Sequence, residues 1–397
     1  MGRLVITNFI VFSLLGFCVL GCTESFPLVT ESFEDVLVVE ATITDEFKYQ
    51  EIKISRTYLL ESDSQVIESN ANVRIEDSNN NIYNFREAEG GVYISNIPFK
   101  PVEGVSYKLL ITLVDGKEYV SSNEFLAPKA EIENLYAELV NLNGQTGVQV
   151  LVDSNDDLGE ANFFRYKYEE TYKIVAPFYS PFDAIVTGGI TEGTIDLVAK
   201  TKEEKICYSS NISTEILLTS VNSLIENKVS KFPIRFIKAD NSILRERYSI
   251  LVKQYVQSVE ANNFYKILKE LSSEESVFVD NQPGFIQGNI FSQQSSTEKV
   301  IGFFDVSSVT SKRIYFNYSD FNIDYPAYFF DCDLRTYDYT ITGPPEPNQR
   351  VFLLQLLFFY PQYKFVSGYY PEYTIVNPEC GDCTTFSSNI KPTFWED

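Results

Sequence analysis

From Val36 onward the chain repeats one pattern: short runs of alternating apolar and polar residues, each closed by turn-forming residues. Strand side chains point to opposite faces with a period of two, so this alternation selects half-buried strands. A helix would show an apolar stripe every three or four residues instead. Val36–Thr44 and Tyr49–Arg56 read as the first pair of strands. Ala71–Glu76 and Ile82–Arg86 follow, separated by Asp77-Ser78-Asn79-Asn80-Asn81. Glu89-Gly90-Gly91 turns the chain into Val92–Ser95. Asp115-Gly116, a strong tight-hairpin signal, joins Ser106–Val114 to Glu118–Phe125. Seven short strands in about ninety residues predict an immunoglobulin-like β-sandwich over residues 35–128. Pro128 and the charged residues after it mark the boundary.

Residues 129–397 read as a larger β-rich domain, so the fold class is mainly β. Phe164-Arg165-Tyr166-Lys167-Tyr168 alternates aromatic and charged residues as a half-solvated strand does, and Tyr248–Val256 behaves likewise. One short helix stands out. Ser258 is its N-cap, and Phe264, Ile267, Leu268 and Leu271 recur at helical spacing as a core-packing stripe. A loop at Pro283-Gly284 leads to Gly288-Asn289-Ile290 and to strands Val300–Val306 and Arg313–Asn317. The aromatic, proline-rich last eighty residues are expected to form long ordered loops packed on the sheet.

The chain contains no histidine. Ser-His-Asp and Cys-His arrangements are therefore excluded, together with the usual general base near neutral pH and the commonest zinc ligand. No G-x-S-x-G elbow and no phosphate-binding glycine loop occurs either. A hydrolase built on paired carboxylates needs neither, but abundance of acidic residues identifies no pair. The expectation is a non-enzymatic protein without cofactor or catalytic residues. The formal charge of −23 argues against nucleic acid and anionic headgroups as partners.

Asp153, Asp156, Asp157 and Glu160 lie within eight positions and offer a flexible oxygen-rich loop for calcium. Their spacing does not match an EF-hand, and a solvated connection is the expected reading. Tyr360, Tyr363, Tyr369, Tyr370 and Tyr373 form the best candidate for an exposed aromatic surface, although packing is expected of most aromatics.

Six cysteines occur. Cys18 and Cys22 belong to an N-terminal segment with its own logic. The remaining Cys207, Cys332, Cys380 and Cys383 are disulfide candidates, with three possible pairings. Cys380-Gly-Asp-Cys383 follows Pro378 and precedes polar turn-formers, which does not suit a redox C-x-x-C opening a helix. Arg3 and the apolar run after it have the build of a secretory signal peptide, and no later segment reads as a transmembrane helix. Val19-Leu20-Gly21-Cys22 is similar to a bacterial lipobox, which predicts cleavage after Gly21, lipidation of Cys22 and a tether over residues 22–34. Loss of Arg3 with residues 1–21 leaves a net charge of −24. Stable anchoring requires more than one acyl chain, and bacterial lipoproteins resemble that case.

Several residues together resemble a known family. They are Val38-Val39-Glu40-Ala41, Gly91-Val92-Tyr93, Tyr107-Lys108-Leu109, Gly288-Asn289-Ile290 and Gly302-Phe303-Phe304-Asp305-Val306-Ser307-Ser308-Val309. Cys380-Gly381-Asp382-Cys383 and the ending Asn389-Ile390-Lys391-Pro392-Thr393-Phe394-Trp395 complete the series. In this order they resemble the Bacteroidota lipoprotein family of domain of unknown function 4249, across the whole chain after the signal. The resemblance implies an outer-membrane lipoprotein and transfers no catalytic residue. It also implies, by genomic association, a TonB-dependent transporter as partner, with a binding or lid-like accessory role. A purely structural envelope lipoprotein is the alternative within the same compartment. Only Glu24 stands close behind Cys22, in Thr23-Glu24-Ser25-Phe26, so the face of the membrane is left open.

Overall fold

A computed structural model describes residues 35–57, 66–156, 158–222, 228–272, 286–360 and 363–397. The lipobox, Asp157 and Pro283-Gly284 lie outside them. The first region contains β1 (Leu37–Thr44), β2 (Glu51–Arg56), β3 (Val66–Ile67), β4 (Asn72–Asp77), β5 (Ile82–Glu87) and β6 (Val92–Ser95). It continues with β7 (Ser106–Thr112), β8 (Glu118–Ser121) and β9 (Glu124–Phe125). The expected strand Glu118–Phe125 is thus two: β8 pairs with the end of β7, and β9 with its start.

The second region contains β10 (Glu131–Leu142), β11 (Gln145–Asn155), β12 (Phe163–Val175), β13 (Phe182–Thr187), β14 (Thr194–Ala199), β15 (Ile206–Ile212) and β16 (Leu217–Ser220). After these come β17 (Lys228–Lys238), β18 (Tyr248–Val256), helix α1 (Val259–Ser272), β19 (Ile290–Ser292) and β20 (Val300–Phe316). Helix α2 (Gln349–Phe359) and strands β21 (Arg335–Asp338), β22 (Lys364–Tyr369) and β23 (Glu372–Val376) form a C-terminal unit.

Strand β20 joins the two regions. Its first half pairs with β1 in parallel, Leu37 opposite Val300 through Thr44 opposite Ser307. Its second half pairs antiparallel with β18, Val256 opposite Ser308 through Tyr248 opposite Phe316. The resulting sheet is continuous in the order β15-β12-β18-β20-β1-β2-β6-β5-β4-β7-β8-β19. The division at residue 128 therefore separates the chain in sequence but not the sheet. One core lies inside the first sandwich, built on Val39, Ala41, Ile43, Ile54, Tyr93, Tyr107, Phe304 and Val306. The other lies between β12-β18-β20 and the three-stranded sheet β10-β11-β17.

The family-like motifs serve this construction. Tyr93 is fully buried; its hydroxyl donates to the Glu68 carbonyl (2.9 Å) and accepts from the Ala71 amide (3.0 Å). The Tyr107 hydroxyl accepts from the Val102 amide at 3.0 Å, a link like the tyrosine corner of immunoglobulin folds. A Cβ on Gly288 would stand 1.6 Å from the Gly302 carbonyl oxygen, and one on Gly302 would stand 2.4 Å from that of Val39. Three backbones are pressed together there, which only glycine permits. Asn289 locks the same place. Its side chain accepts from the Phe304 amide (2.7 Å) and donates to the Phe304 carbonyl (3.0 Å).

Helix α1 begins as expected, with the Ser258 hydroxyl accepting from the Ala261 amide at 3.1 Å. Phe264 is buried, and Leu268 and Leu271 pack beside it, but Ile267 is 40% exposed and leaves the expected stripe. The C-terminal segment departs further. In place of long loops it forms α2 and the sheet β21-β23-β22. Residues Val351–Tyr360 are apolar but for Gln355, with Phe352, Phe358 and Phe359 on the exposed side, which hides helical periodicity; the start is set locally, by Asn348 accepting from the Val351 amide at 2.9 Å. Packing holds for Tyr373, which is buried, but Tyr360, Tyr369 and Tyr370 are 52%, 82% and 61% exposed.

Candidate functional site

Where β20 passes from one sandwich to the other, the sheet folds around a groove of about 820 Å³. β1 and β2 form one wall, β12 and β18 the floor, and α1 the cover, with Phe264, Tyr265 and Leu268 facing in. Ser213–Ile216 closes one end. It is fixed to β12 because the Tyr168 amide donates to the Ser213 hydroxyl and the Ser213 amide to the Tyr168 carbonyl. The β1–β2 turn that carries Lys48 and Tyr49 is held by the fully buried Gln50. Its amide nitrogen donates to the carbonyls of Thr44 (3.0 Å), Glu46 (3.1 Å) and Phe99 (2.9 Å).

Strand pairing sets the chemistry of the floor. Antiparallel β12 and β18 put Arg165 opposite Tyr255 and Lys167 opposite Lys253, all four lining the groove. The other faces of these strands, with Phe164, Tyr166, Val252 and Val256, go into the second core. Five cationic side chains line the groove, Lys48, Lys53, Arg165, Lys167 and Lys253, against the carboxylates of Glu40, Glu51 and Glu215.

These cations are not equivalent. Lys48 pairs with Glu46 (2.7 Å), Lys53 with Glu40 (3.6 Å) and Lys253 with Glu169 (2.7 Å). Arg165 is 4% exposed and lies between two rings, 4.8 Å from the centre of Tyr255 and 4.3 Å from that of Tyr265. Such stacking suits a weakly hydrated guanidinium. Behind it, Asp305 is buried 3.9 Å away and accepts from Gln257 (3.0 Å) and Ser307 (2.8 Å). Burial raises the Asp305 pKa, while Arg165 and these donors oppose the rise.

Lys167 differs from the rest. Among the described residues its ammonium makes no hydrogen bond and no ion pair, although the side chain is open to the groove. The walls crowd the ammonium and partly desolvate it, which lowers its pKa to about 8. The charges of Arg165 and Lys253 add to the fall, and Glu40 opposes it. A site that holds an uncompensated cation between two others can lower its energy by taking an anion.

The other sequence candidates fall elsewhere. Cys207 bonds Cys383 and Cys332 bonds Cys380. The two cysteines of the C-x-x-C motif thus belong to different bridges, which clamp the C-terminal segment. Between them Asp382 pairs with Lys364 at 2.7 Å and accepts from the Thr384 amide and hydroxyl. Of the aspartates considered for calcium, Asp153 and Asp156 are turned to structural work. Asp156 accepts from the amides of Leu158 (3.0 Å), Glu160 (2.5 Å) and Ala161 (2.6 Å). Burial opposes its ionisation, but these amides hold its carboxyl below the ordinary aspartate value. Asp153 accepts from the Lys231 amide at 2.7 Å, and Glu160 is exposed. Among the described residues no group of three His, Cys, Asp or Glu is placed to hold a metal ion. Arg165, Lys167, Lys253 and Tyr255 were not singled out as a site from the sequence. Their signal was the pair of cations two residues apart on one face of β12, but only the register with β18 turns it into a cluster.

The ending Lys391–Trp395 is also accounted for. Trp395 is buried, edge-on to Tyr208 and Tyr315, and the Arg313 guanidinium lies 3.7 Å over the Phe394 ring. Among the described residues no helix is long and apolar enough to cross a membrane.

Comparison with known proteins gives little beyond the family. No curated protein matches the chain. Among solved structures, it is similar to a DUF4785 family protein from Legionella pneumophila at 9% identity and a TM-score of 0.18. That match covers 54% of this chain and 49% of the other, so this chain spans about half the length of that relative. The model of the domain of unknown function DUF4249 matches residues 23–313, from the segment after Cys22 through most of β20. The chain belongs to the DUF4249 family.

Proposed function

We propose that the protein is a lipid-anchored, non-catalytic binding component of a bacterial outer membrane. In this reading Cys22 carries the lipid, the groove between the sandwiches receives a ligand, and a TonB-dependent transporter is the partner. The source is a member of the Bacteroidota. The observation that carries the binding role is the groove itself: a cleft of about 820 Å³, within the usual range for small-molecule sites, whose floor combines cations with aromatic rings. Its carboxylates are a minority among cations, an unsuitable setting for the raised pKa that an acid catalyst of hydrolysis needs. The lipobox pattern and the family resemblance support the anchor and the compartment.

Mass spectrometry of the N-terminal peptide tests the anchor. A diacylglyceryl group and an N-acyl chain on Cys22 are expected, and Cys22→Ser is expected to release the protein from the outer-membrane fraction. Capture through a C-terminal tag in mild detergent tests the partner. Recovery as a lone monomer, where known transporter complexes survive, would count against the accessory role.

A further inference from the structure

The groove can be assigned a class of ligand, an inference that rests on reading it as a binding site. We propose that it binds a small organic oxyanion, a phosphate or carboxylate carried on a flat apolar body, with the anionic head on Lys167 and the body along Tyr265, Phe264 and Leu268. Three observations carry this. First, Lys167 is the lining cation without a carboxylate or carbonyl partner among the described residues, and it stands opposite Lys253 in the strand register. Second, Arg165 is sealed behind Tyr255 and Tyr265, so it adds positive potential to the floor without being available to solvent. Its Nε is buried without a hydrogen-bond partner. Third, the helix side of the groove is apolar and aromatic, with the Phe264 ring tilted against that of Phe303 at 5.7 Å. One wall therefore suits charge and the facing wall suits a ring.

The rest of the molecule limits the size of the anion. A net charge of −23 repels an extended polyanion such as a nucleic acid, whose phosphates would run beyond the five cations of the groove. A single head group with one or two charges meets the local potential without approaching the acidic exterior. A cationic ligand would meet the unpaired Lys167 at the head-group position.

Titration calorimetry on the full-length chain in mild detergent tests the assignment with four probes. Phenyl phosphate and benzoate carry the two head groups, benzylamine carries the opposite charge, and inorganic phosphate lacks the ring. Either anionic aromatic is expected to bind with benzylamine silent, and the tighter of the two names the head group. Inorganic phosphate is expected to bind at least about tenfold more weakly than phenyl phosphate, as loss of a buried ring implies. Lys167→Met is expected to weaken the anion about tenfold or more, Lys167→Arg to keep it within about threefold, and Lys231→Met, at an exposed lysine elsewhere, to change nothing. The ε-carbon signal of Lys167 in lysine-labelled protein is expected to titrate at higher pH once phenyl phosphate is bound. Equal binding of benzylamine, no binding of either aromatic anion, or full affinity in a folded Lys167→Met protein would overturn the proposal. Equal affinity for inorganic and phenyl phosphate would overturn its apolar half. None of these results bears on lipidation of Cys22 or capture of a partner, so failure here and failure of the broader reading are distinguishable.

Discussion

Between Arg165 and Lys253, Lys167 bears a charge that the fold disfavours, and the cost has a definite pH dependence. Its folded pKa is about 8, while an unfolded lysine keeps the ordinary 10.5. Between those values the unfolded chain binds more protons than the folded one, so stability rises with pH across the window. Below about pH 8 both states are charged and the folded state bears the whole penalty. Lys167→Met removes the charge. We expect it to raise the melting temperature at pH 7 and to flatten the rise in stability between about pH 8 and 10.5 relative to the parent protein. Paired melts across that range decide the matter: a variant that melts lower at pH 7 means Lys167 is stabilising as it stands. Removal of the same residue should thus strengthen the fold and weaken the ligand, as is common where a site is held ready at the expense of stability.

Among the elements, the C-terminal unit depends on covalent clamps. Cys207–Cys383 spans 176 residues and Cys332–Cys380 spans 48. Chain-entropy reasoning assigns about 5 and about 4 kcal/mol to loops of those lengths. Replacing both members of the longer bridge, Cys207→Ser with Cys383→Ser, should therefore lower unfolding free energy by about 5 kcal/mol. Denaturation with and without reductant measures this, and a reduced protein as stable as the oxidised one would refute the clamp. The elements also show what a single sequence can reveal. Strands β1, β2 and β4 to β8 were legible because each buries one face, so alternation survives in residues such as Val39, Ala41 and Ile43 against Val38, Glu40 and Thr42. The two exposed residues of β3, Val66 and Ile67, carry no such pattern and were not. Helix α2 was not, because Val351–Tyr360 has Gln355 as its one polar residue and the period is lost. The disulfide candidates could be listed but not paired, since pairing depends on where Cys207 and Cys332 arrive in space. The groove was least legible of all. Arg165 and Lys167 look like an ordinary solvated strand face until the register with β18 sets Tyr255 and Lys253 opposite them.

At the scale of the whole molecule, β20 is a strand of both sandwiches, so neither closes its sheet without it. Loss of β20 exposes core residues of both, Phe304 and Val306 from its first half and Phe316 from its second. The two regions should unfold together. Chemical denaturation followed by Trp395 fluorescence, which reports the second region, and by far-UV circular dichroism should give coincident transitions. Two separated transitions would show that β20 can be released from one sandwich alone.

The parallel pairing of β1 with β20 also has a consequence in time. The chain is made from its N-terminus, so Leu37–Thr44 appears first and Val300–Ser307 long afterwards. At usual synthesis rates the interval is on the order of tens of seconds. During it β1 can meet β2 but has a bare edge on its other side. Val38, Glu40 and Thr42 on that strand line a groove that has no floor until β12 and β18 arrive and no cover until α1 does. The groove is therefore among the last parts of the molecule to exist. A nascent chain, however well its first strands have formed, has no such cleft.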